Sequence, residues 1–157
     1  MKRSPARSLI TAIHLAGAVS TLLLIGSFWL ASAISELCGD AAAVLAVKRA
    51  IVGGLAVLVP ALIATGATGR LLSGSSPVGF AKQKLARTKL IAATGVFVLV
   101  PCALLLARLA EQARFGPLFY ALQALELAAG ASNLILLAKN ARQGLILSGR
   151  LRPARRV

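Results

Sequence analysis

Four long stretches with almost no charged side chains constrain the fold of this chain more than any other feature. Residues 9–35, 50–69 and 90–107 contain no Asp, Glu, Lys or Arg, and residues 115–138 contain only Glu126. A helix of about 20 residues crosses a hydrocarbon core of ~30 Å. A transmembrane barrel would need short strands of alternating polarity, which this sequence lacks. The sequence therefore predicts an all-α, integral membrane, four-helix bundle with helices at about 9–35, 48–70, 88–108 and 116–139.

The composition supports a surface that faces lipid. The chain has 157 residues, of which 58% are hydrophobic, whereas soluble domains are about 45–50% apolar. We expect one transmembrane domain over residues 1–157 whose last part, residues 140–157, is a basic tail. The first apolar run is longer than the ~7–15 residues of a signal-peptide core, so we expect it to remain as a helix.

The distribution of charge predicts the orientation. The five segments that flank the helices carry +3, 0, +5, +1 and +6 in chain order. Since cytoplasmic segments of membrane proteins are enriched in Lys and Arg, both termini and the second loop are predicted to be cytoplasmic. Short loops then favour an up-down-up-down antiparallel arrangement. The expected location is a bacterial inner membrane, crossed several times.

The net charge of +14 is concentrated at the ends of the apolar runs. Nucleic-acid-binding surfaces interleave basic and aromatic side chains, and that pattern is missing, so no nucleic-acid partner is expected. Basic residues beside a membrane instead attract anionic lipid headgroups. The second loop contains the clearest group of this kind: Lys82, Lys84, Arg87 and Lys89.

Four polar residues lie at similar depths within the predicted helices. His14, Thr65, Thr94 and Asn133 each fall about five residues from a cytoplasmic helix end, or roughly 7–8 Å along a helix. Polar side chains inside a membrane are costly and are candidates for function. The four residues could form one layer, either as a hydrogen-bond clamp or as a ligand or proton site around His14.

The fourth predicted helix has a polar face. Gln123, Glu126 and Asn133 recur at spacings of three and seven residues. Glu126 is expected near the bilayer centre, where an isolated carboxylate must be protonated or partnered. Two roles are open for Glu126: a structural role through its hydrogen bonds, or a role in binding or transferring protons or cations. The partners considered for it are Thr21, Arg49 and Arg108.

The segment Val-Leu-Val-Pro occurs twice, ending at Pro60 and at Pro101. Proline inside a helix removes a backbone hydrogen bond, so each copy predicts a kink in its helix. Both kinks are expected at about the depth of Glu126. Either the kinks allow the helices to pack closely, or they open a small cavity beside the Glu126 carboxylate.

The segment Leu9-Ile10-Thr11-Ala12-Ile13-His14 and the small residues that follow it resemble the opening of the copper-resistance CopD-like membrane proteins. They also resemble an allied group of small four-helix bacterial membrane proteins, as does the segment from Val59-Pro60 to Thr68-Gly69. The resemblance implies an inner-membrane protein connected with metal handling or envelope homeostasis, with His14 as a possible ligand. Copper transport needs several His, Met or Cys ligands, whereas this chain has one His and one Met. No metal site is therefore assigned.

No catalytic constellation, phosphate loop or close carboxylate pair occurs, so an enzyme is not expected. The main hypothesis is a small transporter, channel or accessory membrane subunit with a polar intramembrane site. The alternative is a redox subunit that binds b-type haem or a quinone through His14, since two copies of His14 across a homodimer could ligate haem. No cofactor follows from the residues alone, and a homodimer or larger membrane complex is a plausible assembly.

Overall fold

The computed structural model describes residues 5–74, 79–147 and 149, and the secondary structure in them is helical throughout. The helices are α1 (Pro5–Cys38), α2 (Ala41–Ser73), α3 (Gly79–Thr94), α4 (Val100–Glu111) and α5 (Pro117–Leu147), with a π-helical segment at Gly95–Leu99 between α3 and α4. The chain thus contains four helical stretches long and apolar enough to span a membrane, because α3, the π segment and α4 together form the third. These findings support a multi-pass membrane protein.

The four spanning stretches contain 34, 33, 30 and 30 residues. At 1.5 Å per residue they are about 45–51 Å long, well beyond a ~30 Å hydrocarbon core. Helical structure therefore continues past the uncharged runs of the sequence at both ends. Residues 140–147, assigned above to a tail, are the last turns of α5, and the rest of that tail, apart from Gly149, lies outside the described residues.

The start of α2 illustrates this extension. The Asp40 carboxylate accepts a hydrogen bond from the backbone N–H of Ala43 at 2.8 Å, which caps the helix. Capping side chains of this kind satisfy backbone donors that have no partner within the helix. Three alanines follow the cap, and alanine is the best helix former. As a result Lys48 and Arg49 belong to the helix rather than to the loop between α1 and α2.

The packing order around the bundle is α1, α2, the third span and α5. α1 packs against α2 and α5, and the third span packs against the same two helices. Within the described residues, α1 makes no backbone approach to the third span, and α2 makes none to α5. Each of these two pairs is therefore diagonal across the bundle, and only long side chains can connect its members.

Small residues permit the close contact between α1 and α2. A Cβ atom on Gly17 would lie 2.6 Å from Oγ1 of Thr65, which is inside van der Waals contact. Helices in lipid associate largely through such close backbone approach. The apolar side chains that remain exposed, such as Phe97 at 77% exposure, form the surface expected to face lipid.

The two Val-Leu-Val-Pro copies differ in backbone structure. Pro60 lies inside an uninterrupted α-helix. Pro101 follows the π segment, in which the N–H of Val100 donates to the carbonyl of Gly95, five residues earlier. The wider turn of a π segment is one way for a helix to accommodate the residues beside a proline.

Candidate functional site

A buried ion pair lies inside the bundle between α2 and α5. Lys48 Nζ is 2.6 Å from Glu126 Oε2, with the Lys48 side chain fully buried and the Glu126 side chain 11% exposed. Ser32 of α1 completes the group: Lys48 donates to its Oγ at 2.9 Å, and its hydroxyl donates to Glu126 Oε2 at 3.3 Å. We refer to Ser32, Lys48 and Glu126 as the polar triad. It connects three helices and bridges the α2–α5 diagonal.

This arrangement corrects the expected partners of Glu126. Arg49 points away from the carboxylate and pairs with Glu111 at 3.0 Å, where both side chains are largely exposed. Thr21 is fully buried, but its hydroxyl has no hydrogen-bond partner among the described residues. The true partner, Lys48, was missed because the predicted helix begins only at about residue 48, next to the loop, whereas α2 begins at Ala41 and includes Lys48.

The polar triad lies away from the midpoints of the helices, and the predicted depth of Glu126 in the bilayer stays a prediction. Glu126 is the tenth residue of a helix of 31, roughly 9 Å from the middle of α5 at helical rise. The triad is therefore displaced from the helix midpoints toward the end of the bundle where α1 ends and α2 begins. An apolar cluster at that same end packs nearby: Val44, Cys102, Leu106, Ala110 and Phe119.

A cavity of about 70 Å³ adjoins the polar triad. Ser32 and Glu126 contribute its polar lining, and Trp29 and Gly130 lie on the wall between α1 and α5. The leucines of both Val-Leu-Val-Pro copies, Leu58 and Leu99, also line it, together with other apolar residues. We call this space the triad cavity. This space admits a water molecule.

Two further polar residues surround the polar triad. Glu36, one helical turn beyond Ser32 on α1, is within electrostatic range of both Lys48 and Glu126, and its Oε1 atom is buried without a hydrogen-bond partner. Gln123, one turn before Glu126 on α5, is 4% exposed, and both of its amide atoms lack partners among the described residues. The triad is thus surrounded by further polar atoms that its own hydrogen bonds do not satisfy.

The polar face of α5 points into the bundle. Gln123, Glu126, Asn133 and Asn140 are all between 1% and 9% exposed. Asn133 donates from Nδ2 to the carbonyl of Ile91 at 3.4 Å, while its Oδ1 has no partner among the described residues. Asn140 donates to Thr88 Oγ1 at 3.3 Å and likewise leaves Oδ1 unpartnered.

His14 forms a separate site between α1 and α2. Its Nδ1 atom lies 3.1 Å from the carbonyl oxygen of Thr65 and 3.1 Å from Thr68 Oγ1. The hydroxyl of Thr65 donates to its own helix, to Ala61, and does not contact the imidazole. In the part of the chain that the structure describes, no hydrogen bond joins His14 to Thr94 or Asn133. Of the four residues expected in one layer, His14 contacts the backbone of Thr65 and also Thr68, which was not among the four. Asn133 makes a separate contact with Ile91, and among the described residues no hydrogen bond connects Thr94 to the other three.

The basic residues of the second loop lie at the start of the third span. Lys82 and Lys89 are exposed, and Lys84 and Arg87 are half-buried. Arg87 donates to Gln83 one turn away at 3.4 Å. These side chains therefore project from one end of the bundle, together with the end of α5.

Comparisons with known proteins give no family assignment. No family model matches the chain, and neither does a curated protein or a solved structure. The resemblance of α1 to the CopD-like proteins stays a prediction. Among the described residues, no group of three or more His, Cys, Asp or Glu side chains could hold a metal ion, and Cys38 and Cys102 are both free thiols.

Proposed function

We propose that the chain is an up-down-up-down antiparallel bundle of a bacterial inner membrane with both termini in the cytoplasm. The order of contacts supports the antiparallel arrangement of α1 and α2. Gly17 lies beside Thr65 and Ser32 beside Lys48, so positions rise along α1 as they fall along α2. The alternating charge of the flanking segments supports the orientation. Bends at Pro60 and Pro101 belong to this proposal and would shape the triad cavity, which residues of both proline segments line.

Within this bundle, the function best supported is transport without an enzymatic reaction. The protein acts as a small carrier or channel that handles a proton or a small cation at Glu126. One observation carries the proposal: the Lys48–Glu126 ion pair is buried at 2.6 Å and lines a cavity through its carboxylate. Ionisable side chains inside a membrane span are characteristic of ion and proton pathways.

A purely structural role explains this ion pair less well. Removing two charges from water costs free energy that their mutual attraction only partly repays, so buried ion pairs are a poor source of stability. Each neighbouring polar atom without a partner adds to that cost. A chain selected only for packing would place apolar residues here. The retained charges and the adjoining space are consistent with a group that must change its protonation or its partner.

The test is ion flux in proteoliposomes. Purified wild-type protein is reconstituted with a pH-sensitive dye inside the vesicles and, in parallel, with dyes for Na⁺ and K⁺. An imposed gradient is expected to dissipate at least tenfold faster than in protein-free vesicles, and Glu126→Gln is expected to remove that difference. The matched control is Glu111→Gln, which removes the surface carboxylate of the other ion pair and should leave flux unchanged.

Absence of flux for every ion in the wild-type vesicles would overturn the transport proposal. So would equal flux in Glu126→Gln and wild-type protein. Circular dichroism and a monodisperse elution profile in detergent show whether each variant remains folded. Native mass spectrometry of the same preparation reports whether the protein instead co-purifies as an accessory subunit, as a homodimer or in a larger complex.

The exposed basic residues support a second part of the proposal, contact with anionic lipid headgroups. Lys82 and Lys89 are free of the bundle interior, and each basic residue near an anionic surface contributes ~1 kcal/mol. Lys84 and Arg87 lie beside them. This contact would orient the protein in the membrane rather than take part in transport.

A redox subunit is the other candidate, and one observation favours it. The Nδ1 atom of His14 is fixed by the Thr65 carbonyl and the Thr68 hydroxyl. Metal-ligating histidines commonly have one ring nitrogen held by a carbonyl in this way, which orients the other for ligation. A Soret absorption band that disappears in His14→Ala would support a b-type haem shared by two protomers. Purified protein without such a band after haem supplementation would exclude it.

A further inference from the structure

The interior polar atoms of the bundle are arranged in a series along its axis. Beyond the polar triad, the side chains of Thr21, Gln123, Asn133 and Asn140 are each 6% exposed or less and each contains an atom with no hydrogen-bond partner among the described residues. Buried polar atoms in proteins are nearly always paired with protein or with ordered water. Their positions mark where the interior would need water or a rearranged side chain to complete its hydrogen bonds.

Thr21 is the most informative of these residues. A helical threonine can satisfy its hydroxyl by donating to the carbonyl four residues earlier, as Thr11, Thr65 and Thr88 do here. Thr21 makes no such bond although it is fully buried. Its hydroxyl therefore lacks the bond that the other three threonines make, and its oxygen is enclosed by the surrounding side chains.

Thr21 and Asn133 lie just beyond the triad cavity. Ile25 and Gly130 line the cavity, and Thr21 is one turn from Ile25 on α1 while Asn133 is one turn from Gly130 on α5. The polar triad lies on the opposite side, since Ser32 and Glu126 follow the same two helices in the other direction. The cavity lining thus includes the Glu126 carboxylate, and the residues one turn beyond the lining on α1 and α5 contain a hydroxyl and an amide oxygen.

We propose that the transported ion is the proton, and that it crosses the bundle through Glu36, the polar triad, water in the triad cavity, and Thr21 with Asn133. The route continues to Asn140, about 10 Å further along α5 at helical rise. This inference rests on the proposed transport function and names its substrate and path.

The transfer balances in protons and charge. The Lys48 ammonium passes a proton to Glu126 along their 2.6 Å contact, breaking an N–H bond and forming an O–H bond, so that both groups become neutral. The Glu126 carboxyl group releases its proton to cavity water in concert with the arrival of a proton by way of Glu36, which restores the Lys48 ammonium. One proton has then moved and the pair is unchanged. Release without simultaneous reprotonation of Lys48 would leave the Glu126 carboxylate buried beside a neutral amine, which a low-dielectric interior penalises.

Thr21→Val tests the path, because valine keeps the shape of threonine and removes its hydroxyl. We expect proton flux to fall at least fivefold, and Asn133→Leu to have the same effect. Thr11→Val is the matched control, since Thr11 is partly exposed and its hydroxyl donates to Arg7 of its own helix. Flux in Thr21→Val equal to that of Thr11→Val would overturn the path, whereas the transport proposal would survive as long as Glu126→Gln still abolished flux. Transport of Na⁺ or K⁺ without protons would overturn only the claim that the transported ion is the proton.

Hydration provides a readout that does not depend on activity. In bilayers, solid-state NMR can measure magnetisation transfer from water to side chains. The proposal requires early transfer to Thr21 and Asn133, at least as fast as to the partly exposed Thr11, and slow transfer to the buried Phe119. Equally slow transfer at Thr21, Asn133 and Phe119 would show that the cavity is dry and would overturn the water path even if a variant failed to fold.

Discussion

The two ends of the bundle use polar residues in different ways. At the polar triad, charged side chains contact each other across the diagonal between α2 and α5, and Ser32 draws in α1. At His14, the imidazole contacts a backbone carbonyl and a hydroxyl on the adjacent helix. The triad connects three helices through charged groups, whereas His14 connects two neighbouring helices that already pack closely. Under the proposed function, proton chemistry belongs to the triad and the His14 end serves packing.

The largest effect is expected from breaking the ion pair on one side. Lys48→Met leaves the Glu126 carboxylate buried without its cation and should lower the free energy of unfolding by about 3–5 kcal/mol. The double variant Lys48→Met, Glu126→Leu should recover most of that stability, because it removes both charges. Unfolding of reconstituted protein by titration with SDS measures both. A double variant no more stable than the single one would contradict the account of the triad as a costly charge pair.

Gly17→Val tests whether the His14 end depends on close packing. The new side chain would meet Thr65, since even a Cβ atom lies 2.6 Å from its hydroxyl, and overpacking of this kind costs about 1–3 kcal/mol. Gly26→Val is the control, since nothing lies within 4 Å of a Cβ atom there. The same SDS titration compares them, and equal stability of the two variants would show that α1 and α2 do not need this contact.

A smaller loss is expected from His14→Leu. Hydrogen bonds between membrane helices contribute about 0.6 kcal/mol on average, and leucine preserves most of the volume of the ring. The expected loss is therefore about 1 kcal/mol, with proton flux unchanged. Should His14→Leu abolish flux as Glu126→Gln does, the proposed division between a chemical end and a packing end would be wrong.

The smallest effect is expected at the surface ion pair. Arg49 and Glu111 are exposed at 62% and 46%, and exposed pairs contribute ~0.2–1 kcal/mol and are screened by salt. Arg49→Gln should lie within this range, and the loss should vanish in 1 M salt. A loss that persisted at high salt would contradict this prediction, because only a buried pair such as the one in the polar triad is expected to resist screening.

Much of the fold could be predicted from the sequence because lipid imposes a simple rule on it. Four long apolar runs, only one of which contains a charged residue, predict four spanning helices, and the described residues include four helical stretches long and apolar enough to span a membrane. The inward face of α5 could also be predicted from the sequence, because polar residues at three- and seven-residue spacings share one side of a helix. Glu126 was identified for that reason, since a lone carboxylate in such a run has few alternatives to a buried site.

The partner of Glu126 was not predictable in the same way. Lys48 adjoins Arg49 at the edge of an uncharged run, and counting charges assigns both residues to a loop. Only the helix cap at Asp40 and the direction of each side chain show that Lys48 points inward while Arg49 points out. The signal that could have found it was the sequence Asp40-Ala41-Ala42-Ala43, which predicts a helix start well before Lys48. The sequence gives the distance of His14 and Asn133 from the helix ends, but it does not show which helices are neighbours. It therefore could not show that the two residues lie apart.

The π segment Gly95–Leu99 has a consequence for how this chain can vary in length. Its widened turn takes up one residue more than an α-helix does, like an insertion absorbed without a loop. Removing a single residue there would restore regular α-helix and keep the present faces of α3 and α4, because the widened turn already absorbs the extra residue. Removing one residue between Cys102 and Leu106 instead would rotate these two residues, now both buried, by about 100° relative to each other. The π segment is therefore the place where the third span can lose one codon without reassigning a helix face from protein to lipid.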